Sequence, residues 1–226
     1  MAGRDGFVST PVTLSAPVIP LVINTPPSGW EALLALFSSR SLVLTRDDEP
    51  EVQVSARLKG ASPDRIFARN EWIDATFLVE LTEVYWRSKT VENFVTQLTA
   101  ASVTLEAFPG ISGSVGDALV RVQGPATGVR VTDPSGAWLA LPDTTAGQWM
   151  RFDSRTGRCF RTASDVWANG TEVSGLVDFG GPRGNFEITP VLSAGDPSAR
   201  TARLTVTSAT RAGTQIAVRG RSARTI

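Results

Sequence analysis

The 226-residue chain reads as mainly β, an N-terminal α+β unit with one short helix followed by an antiparallel β-sandwich. Three observations carry this. Helical periodicity occurs once, between Trp30 and Phe37, and beyond it apolar residues alternate with period two. In the second half, nine short alternating runs fall within about a hundred residues, separated by turn-forming clusters. The composition, 42% hydrophobic and 19% charged with 22 basic and 22 acidic residues, is that of a folded chain without like-charge excess.

Residues 1–27 hold Pro11, Pro17, Pro20, Pro26 and Pro27, a density that forbids helix and confines any strand to a sheet edge, so an extended arm is expected. Ser28-Gly29-Trp30-Glu31 fits a capping box opening a helix, and Trp30, Leu33, Leu34 and Phe37 follow at i, i+3, i+4 and i+7. That stripe is a core-facing side, with Glu31, Ala35 and Ser38 on other faces. Strands are expected at Leu42 and Leu44 and, after the Asp47-Asp48-Glu49-Pro50 turn, at Val52, Val54 and Arg57. The alternation continues through Ile66, Ala68, Phe77, Val79, Leu81 and Val84 around a polar kink at Asn70-Glu71.

Past Lys89 the pattern loosens, and Phe108 to Ser114 contains the residues that separate units. Strands are then expected over 118–123, 129–132, 138–141, 149–153, 158–162, 173–179, 186–192, 202–207 and 215–219. Between them stand Asp133-Pro134-Ser135-Gly136, Asp153 to Gly157, Asn169-Gly170, Gly180 to Asn185 and Gly195-Asp196-Pro197, each with turn chemistry. Asn169-Gly170-Thr171 is read as a hairpin turn instead of a glycosylation acceptor.

Composition bears on function chiefly by exclusion. The chain has no histidine, which removes the commonest general base, the usual zinc ligand and every Ser/His or Cys/His pairing. Its one cysteine, Cys159, is read as a small buried hydrophobe. No Gly-x-Ser-x-Gly elbow or phosphate loop occurs, and Gly110, Gly113 and Gly116 precede a strand instead of a helix. Two carboxylates suffice for a glycosidase, yet Asp133, Asp143, Asp153 and Asp196 sit in turns where Asp bonds local backbone. No catalytic set, cofactor or metal is therefore expected. No apolar run is long enough to span a bilayer, and Arg4-Asp5 with Pro17 and Pro20 fits no signal peptide, so synthesis in the cytoplasm is expected. Residues 1–92 carry 9 basic and 12 acidic side chains, and residues 93–226 carry 13 and 10. After Pro197 come Arg200, Arg203, Arg211, Arg219, Arg221 and Arg224 with no acid, a basic edge suited to an acidic face of the same or a neighbouring subunit. Trp138, Trp149 and Trp167 are the candidates for stacking on a sugar, although Trp138 and Trp149 also read as cross-strand core partners.

Specific strings add a resemblance. Asp74-Ala75-Thr76-Phe77, Val84-Tyr85-Trp86-Arg87-Ser88, Gly116 to Pro125, Arg130 to Asp133, Ala146 to Trp149, Asp153, Thr189-Pro190, Gly195 to Arg200, Ala202 to Val206 and Arg219 to Ala223 occur in order. Together they cover roughly residues 64–224. In this the chain resembles minor tail proteins of long-tailed actinobacteriophages, of the distal tail protein type. The resemblance implies a non-enzymatic virion protein with a β-rich belt domain at 1–92 and a galectin-like sandwich at 93–226. It also implies a ring of six copies at the tail tip, joining the tail tube to the hub, made in the host cytoplasm and carried in the virion, without nucleic-acid or membrane binding. Ring closure needs two different patches on one chain. The arm, Val18, Val22 and Ile23, and the strands carrying Phe77, Tyr85 and Trp86 are the expected interface residues. A receptor-facing carbohydrate module using Trp138 and Trp149, and a wall-degrading tail enzyme, are the alternatives from other classes.

Overall fold

The computed structural model describes residues 16–67, 72–193, 195–196, 198–209 and 213–225. Residues 1–15 of the expected arm, the kink at Asn70-Glu71, and Ala68, Pro197 and Arg211 lie outside the described residues.

The N-terminal elements are β1 (Val18–Thr25), helix α1 (Pro27–Phe37), β2 (Val43–Thr45), β3 (Val52–Phe67), β4 (Trp72–Leu81) and β5 (Trp86–Ser88). β3 and β4 form a long antiparallel hairpin, β1 lies along the far side of β4, and β2 and β5 pair with the first half of β3. Alternation in β4 is strict: Ile73, Ala75, Phe77, Val79 and Leu81 are buried, and the residues between them are not. The buried face is covered by α1, whose Trp30, Leu33, Leu34 and Phe37 pack on it as their spacing predicts. Phe77 lies at the centre, stacked on Phe37 with ring centroids 4.4 Å apart and tilted against Trp30 at 5.4 Å.

The helix does not begin as the capping box predicts. Pro26 is the extended N-cap, Pro27 opens the first turn, no side chain caps the helix, and the Gly29 amide donates to the Pro26 carbonyl at 2.8 Å. Proline has its φ preset for a first helical turn and lacks an amide that would go unpaired there. The helix therefore starts before Ser28, which falls inside it.

The rest of the chain gives β6 (Glu92–Gln97), β7 (Ser102–Ala107), β8 (Leu119–Gln123), β9 (Arg130–Thr132), β10 (Trp138–Ala140), β11 (Trp149–Asp153), β12 (Arg158–Thr162), β13 (Thr171–Glu172), β14 (Asp178–Gly180), β15 (Pro190–Leu192), β16 (Arg200–Thr207), β17 (Gln215–Gly220) and β18 (Ala223–Arg224). One sheet runs β14-β10-β9-β16-β15 with β7 also on β16, and the other runs β13-β12-β11-β8-β17-β6. Their facing sides share one core: Leu105, Val131, Leu139, Leu204 and Val206 from the first sheet, and Val120, Val122, Met150, Phe152, Cys159, Ile216 and Val218 from the second. The protein is thus mainly β, with one α-helix and three antiparallel sheets among the described residues. Among the described residues no helix is long and apolar enough to cross a membrane.

Several expectations for this half change. β6 and β7 form where the sequence loosens, because each gains its partner from the C-terminal strands β17 and β16, more than 90 positions away. The run at 173–179 is mostly a 3-10 turn at Ser174–Leu176, and only its end becomes β14. Asn169-Gly170 is not a left-handed hairpin turn; Gly170 is demanded by close approach, since a Cβ there would stand 2.1 Å from the Arg161 carbonyl. Asp133 to Gly136 does form its turn, with Gly136 N–H bonded to the Asp133 carbonyl at 2.9 Å and φ +94°. The Asp133 carboxylate also reaches across the fold, accepting from the Thr189 amide at 2.9 Å and the Thr189 hydroxyl at 2.6 Å.

A candidate assembly surface and its neighbours

With α1 covering one face of the β1-β4-β3 layer, no element among the described residues covers the opposite face. Cross-strand register fixes its side chains in rows: Val18 beside Glu80 beside Arg57, Pro20 beside Leu78 beside Gly60, Val22 beside Thr76 beside Ser62, and Asn24 beside Asp74. Exposed apolar side chains stand in these rows, Val22 67% and Leu78 42% in the middle and Val18 42% at the end beside Glu80. Gly60, Ala61, Ser62, Thr76 and Leu78 line a shallow cavity of about 340 Å³, a notch beside Gly60, which has no side chain to fill it.

Polar groups bound the apolar middle. At one end Glu80 is held by Arg57 at 2.5 Å and Lys59 at 3.2 Å, and these two cations, Arg57 first, hold its carboxyl below the ordinary range. At the other end Asn24 Nδ2 donates to Asp74 Oδ1 at 2.7 Å. β1 is the edge strand of its sheet, so among the described residues no strand pairs with its outward backbone groups, and Pro20 there has no amide. An apolar centre, a charged rim and an unpaired strand edge are the parts of a docking face.

The structure separates the expected interface residues. Val18 and Val22 lie on the open face, whereas Ile23 points to the other side and packs on the core under α1. Phe77 and Trp86 lie instead in the first core, 0% and 6% exposed: alternation in β4 puts Phe77 under the helix, and Trp86 enters the same core from β5. Tyr85 is partly buried. It packs against the sandwich core, and a Cβ on Gly113 would lie 2.4 Å from its ring, so it seats this chain's own two units together.

That seam is polar and well paired. Buried Arg87 donates to Glu83 at 3.0 Å and the Ser114 carbonyl at 3.2 Å, and it lies 3.6 Å from Asp117. β18 leaves the sandwich to pair with β5, a connection the sequence did not suggest. The basic C-terminal stretch is used partly within the chain: Arg203 pairs with Glu106 at 3.1 Å, Arg221 with Asp117 at 3.4 Å, and Arg224 donates to the Gly110 carbonyl. Trp138 and Trp149 are corrected as cross-strand partners. Trp138 pairs with Thr132 and Gly180 in one sheet, Trp149 with Gln123 and Thr162 in the other, so the core lies between their sheets. Arg130 lies 4.1 Å over the Trp138 ring. Among the described residues no group of three or more Cys, Asp or Glu is placed to hold a metal ion.

Neither a protein-family model nor a curated protein matches this chain. Among solved structures it is similar to one titled "Crystal Structure of SPP1 Dit (gp 19.1) Protein, a Paradigm of Hub Adsorption Apparatus in Gram-positive Infecting Phages", at a TM-score of 0.59 and 14% sequence identity. The superposition covers 98% of this chain and 85% of that one. At that identity the likeness is one of fold, and it extends over both units.

Proposed function

We propose that this protein is a structural component of a phage tail tip, in which residues 1–92 close a ring of copies and residues 93–226 form the attached sandwich. The ring would join the tail tube to the tail-tip hub, and its copies act by contact instead of catalysis. The observation that carries this is the open face of the first sheet, where Val18, Val22 and Leu78 stand exposed among charged groups beside a strand edge that no described strand pairs with. Its occurrence in a chain whose fold is similar to that of a phage hub protein supports the reading. A ring of identical copies requires that this face meet a different patch on the next copy, so that the rotation closes. Residues 1–92, net acidic, and residues 93–226, net basic, offer charge complementarity for contacts between rings or with adjoining tail parts.

Native mass spectrometry and light scattering of the purified protein, alone and with the tail-tube protein, test the proposal. Six-copy rings are expected in at least one condition, and Val22→Asp should leave the monomer folded while abolishing them, because a carboxylate would be desolvated on that face. Monomers only in both conditions, or rings that tolerate Val22→Asp and Leu78→Asp together, overturn it.

A further inference from the structure

The outward face of the β13-β12-β11-β8-β17-β6 sheet holds an arrangement of its own, away from the open face of the first sheet. Alternation puts Arg121 of β8 and Arg151 of β11 side by side on this face, away from the core. They are nevertheless only 8% and 6% exposed, because the loop after β12, residues 163–170, crosses over them. Arg121 pairs with Asp165 at 2.5 Å, and Arg151 donates to the Trp167 carbonyl and to Asn169 Oδ1. Burying two guanidinium groups is costly, and here they clamp one loop at three points. The clamped loop presents the Trp167 ring.

Beside that ring is a cavity of about 350 Å³, at the small end of the roughly 300–1,000 Å³ typical of ligand sites. Trp167 forms one wall, Leu119 and Val91 supply apolar surface, and Arg219 and Arg221 supply cations. Arg221 and its neighbour Asp117 are already paired. Arg219 differs: among the described residues it has no acidic partner, and its guanidinium stands 5.5 Å from the Trp167 ring centre. Arg121 lies 4.3 Å from the same ring, so two cations share one indole while a single carboxylate, Asp165, pairs with only one of them, Arg121. The local excess is positive and sits at the cavity.

We infer that this cavity binds an anionic saccharide, a sugar ring bearing a phosphate or carboxylate. The flat apolar face of Trp167 accepts the C–H face of a sugar ring, and the Arg219 fork accepts the anion through charge-assisted hydrogen bonds. Because the loop is held by Arg121 and Arg151, the platform is formed before the ligand arrives, and little ordering cost opposes binding. The site stands apart from the open face of the first sheet, so its test is independent of ring formation.

The protein labelled with 5-fluorotryptophan is titrated with glucose 1-phosphate and with glucuronate, followed by fluorine NMR, with methyl glucoside and inorganic phosphate alone as controls. Trp167→Phe assigns the resonance. Both charged sugars should move the Trp167 signal and bind at least about tenfold more tightly than either control, and Arg219→Gln should weaken them by about tenfold or more. The Arg219 side chain makes no hydrogen bond or ion pair among the described residues, so this variant is expected to fold. Failure of both charged sugars to move the Trp167 signal at millimolar concentration overturns the inference. So does phosphate alone binding as tightly as the sugar phosphate, or Arg219→Gln binding as tightly as the parent.

Discussion

Phe77→Ala removes the side chain on which the N-terminal unit is built. Phe77 is wholly buried, stacked on Phe37 and tilted against Trp30, so the change deletes apolar surface and opens a hole that α1 must bridge. Phe→Ala at such a position costs about 4 kcal/mol. The size of the thermal shift depends on what melts with it. If the whole 226-residue chain unfolds together, an unfolding entropy of roughly 0.48 kcal/mol/K makes the drop in Tm about 8 °C. If the N-terminal unit of roughly 80 residues unfolds separately, the entropy is about 0.17 kcal/mol/K and its own transition falls by about 24 °C, the sandwich transition staying in place. The polar seam of Arg87 and Tyr85 and the return of β18 to β5 tie the units together, and the single smaller shift is the expected result. Differential scanning calorimetry of parent and variant reads it directly. A destabilisation below about 1 kcal/mol would refute the assignment of Phe77 to the centre of this core.

Two further outcomes follow from buried polar and thiol groups. Asp133→Ala leaves the Thr189 amide and hydroxyl without their acceptor and should cost about 3 kcal/mol in urea unfolding, with Asp133→Asn costing less because one acceptor oxygen remains. Burial pushes the Cys159 thiol up from 9.0 to about 11, so a thiol reagent at pH 8 should label it only after denaturant is added. The sign is fixed by the raised value: this contribution to stability is complete below pH 9 and is lost as pH climbs toward about 11, because the unfolded thiol ionises first. Urea midpoints for the parent and Cys159→Ala should converge across that window, and parallel curves would contradict the burial.

Features set by near neighbours were legible in the amino-acid string. The stripe Trp30, Leu33, Leu34, Phe37 and the turn at Asp133 to Gly136 need only contacts within a few positions, and both formed as read. The capping box failed on an equally local ground, since Pro27 outcompeted Ser28 for the helix start. Strand existence in the second half was likewise readable from period-two alternation, for example over Trp149–Asp153 and Arg158–Thr162. Partners were not. β6 and β7 exist because strands from the far end of the chain lie beside them, and loop 163–170 is ordered by Arg121 and Arg151, whose side chains look like ordinary solvated charge until the register places them under it.

Sequence alone determined that this is a mainly β protein lacking the histidine-based chemistry of many enzymes, because composition and alternation are properties of the string. Only the tertiary structure decided that Val18 and Val22 face outward while Phe77 does not, and that Trp167 and Arg219 meet across a cavity while Trp138 and Trp149 are kept on separate sheets. Those outcomes depend on which strands pair and in what register, and a shift of one residue would exchange the two faces of a strand.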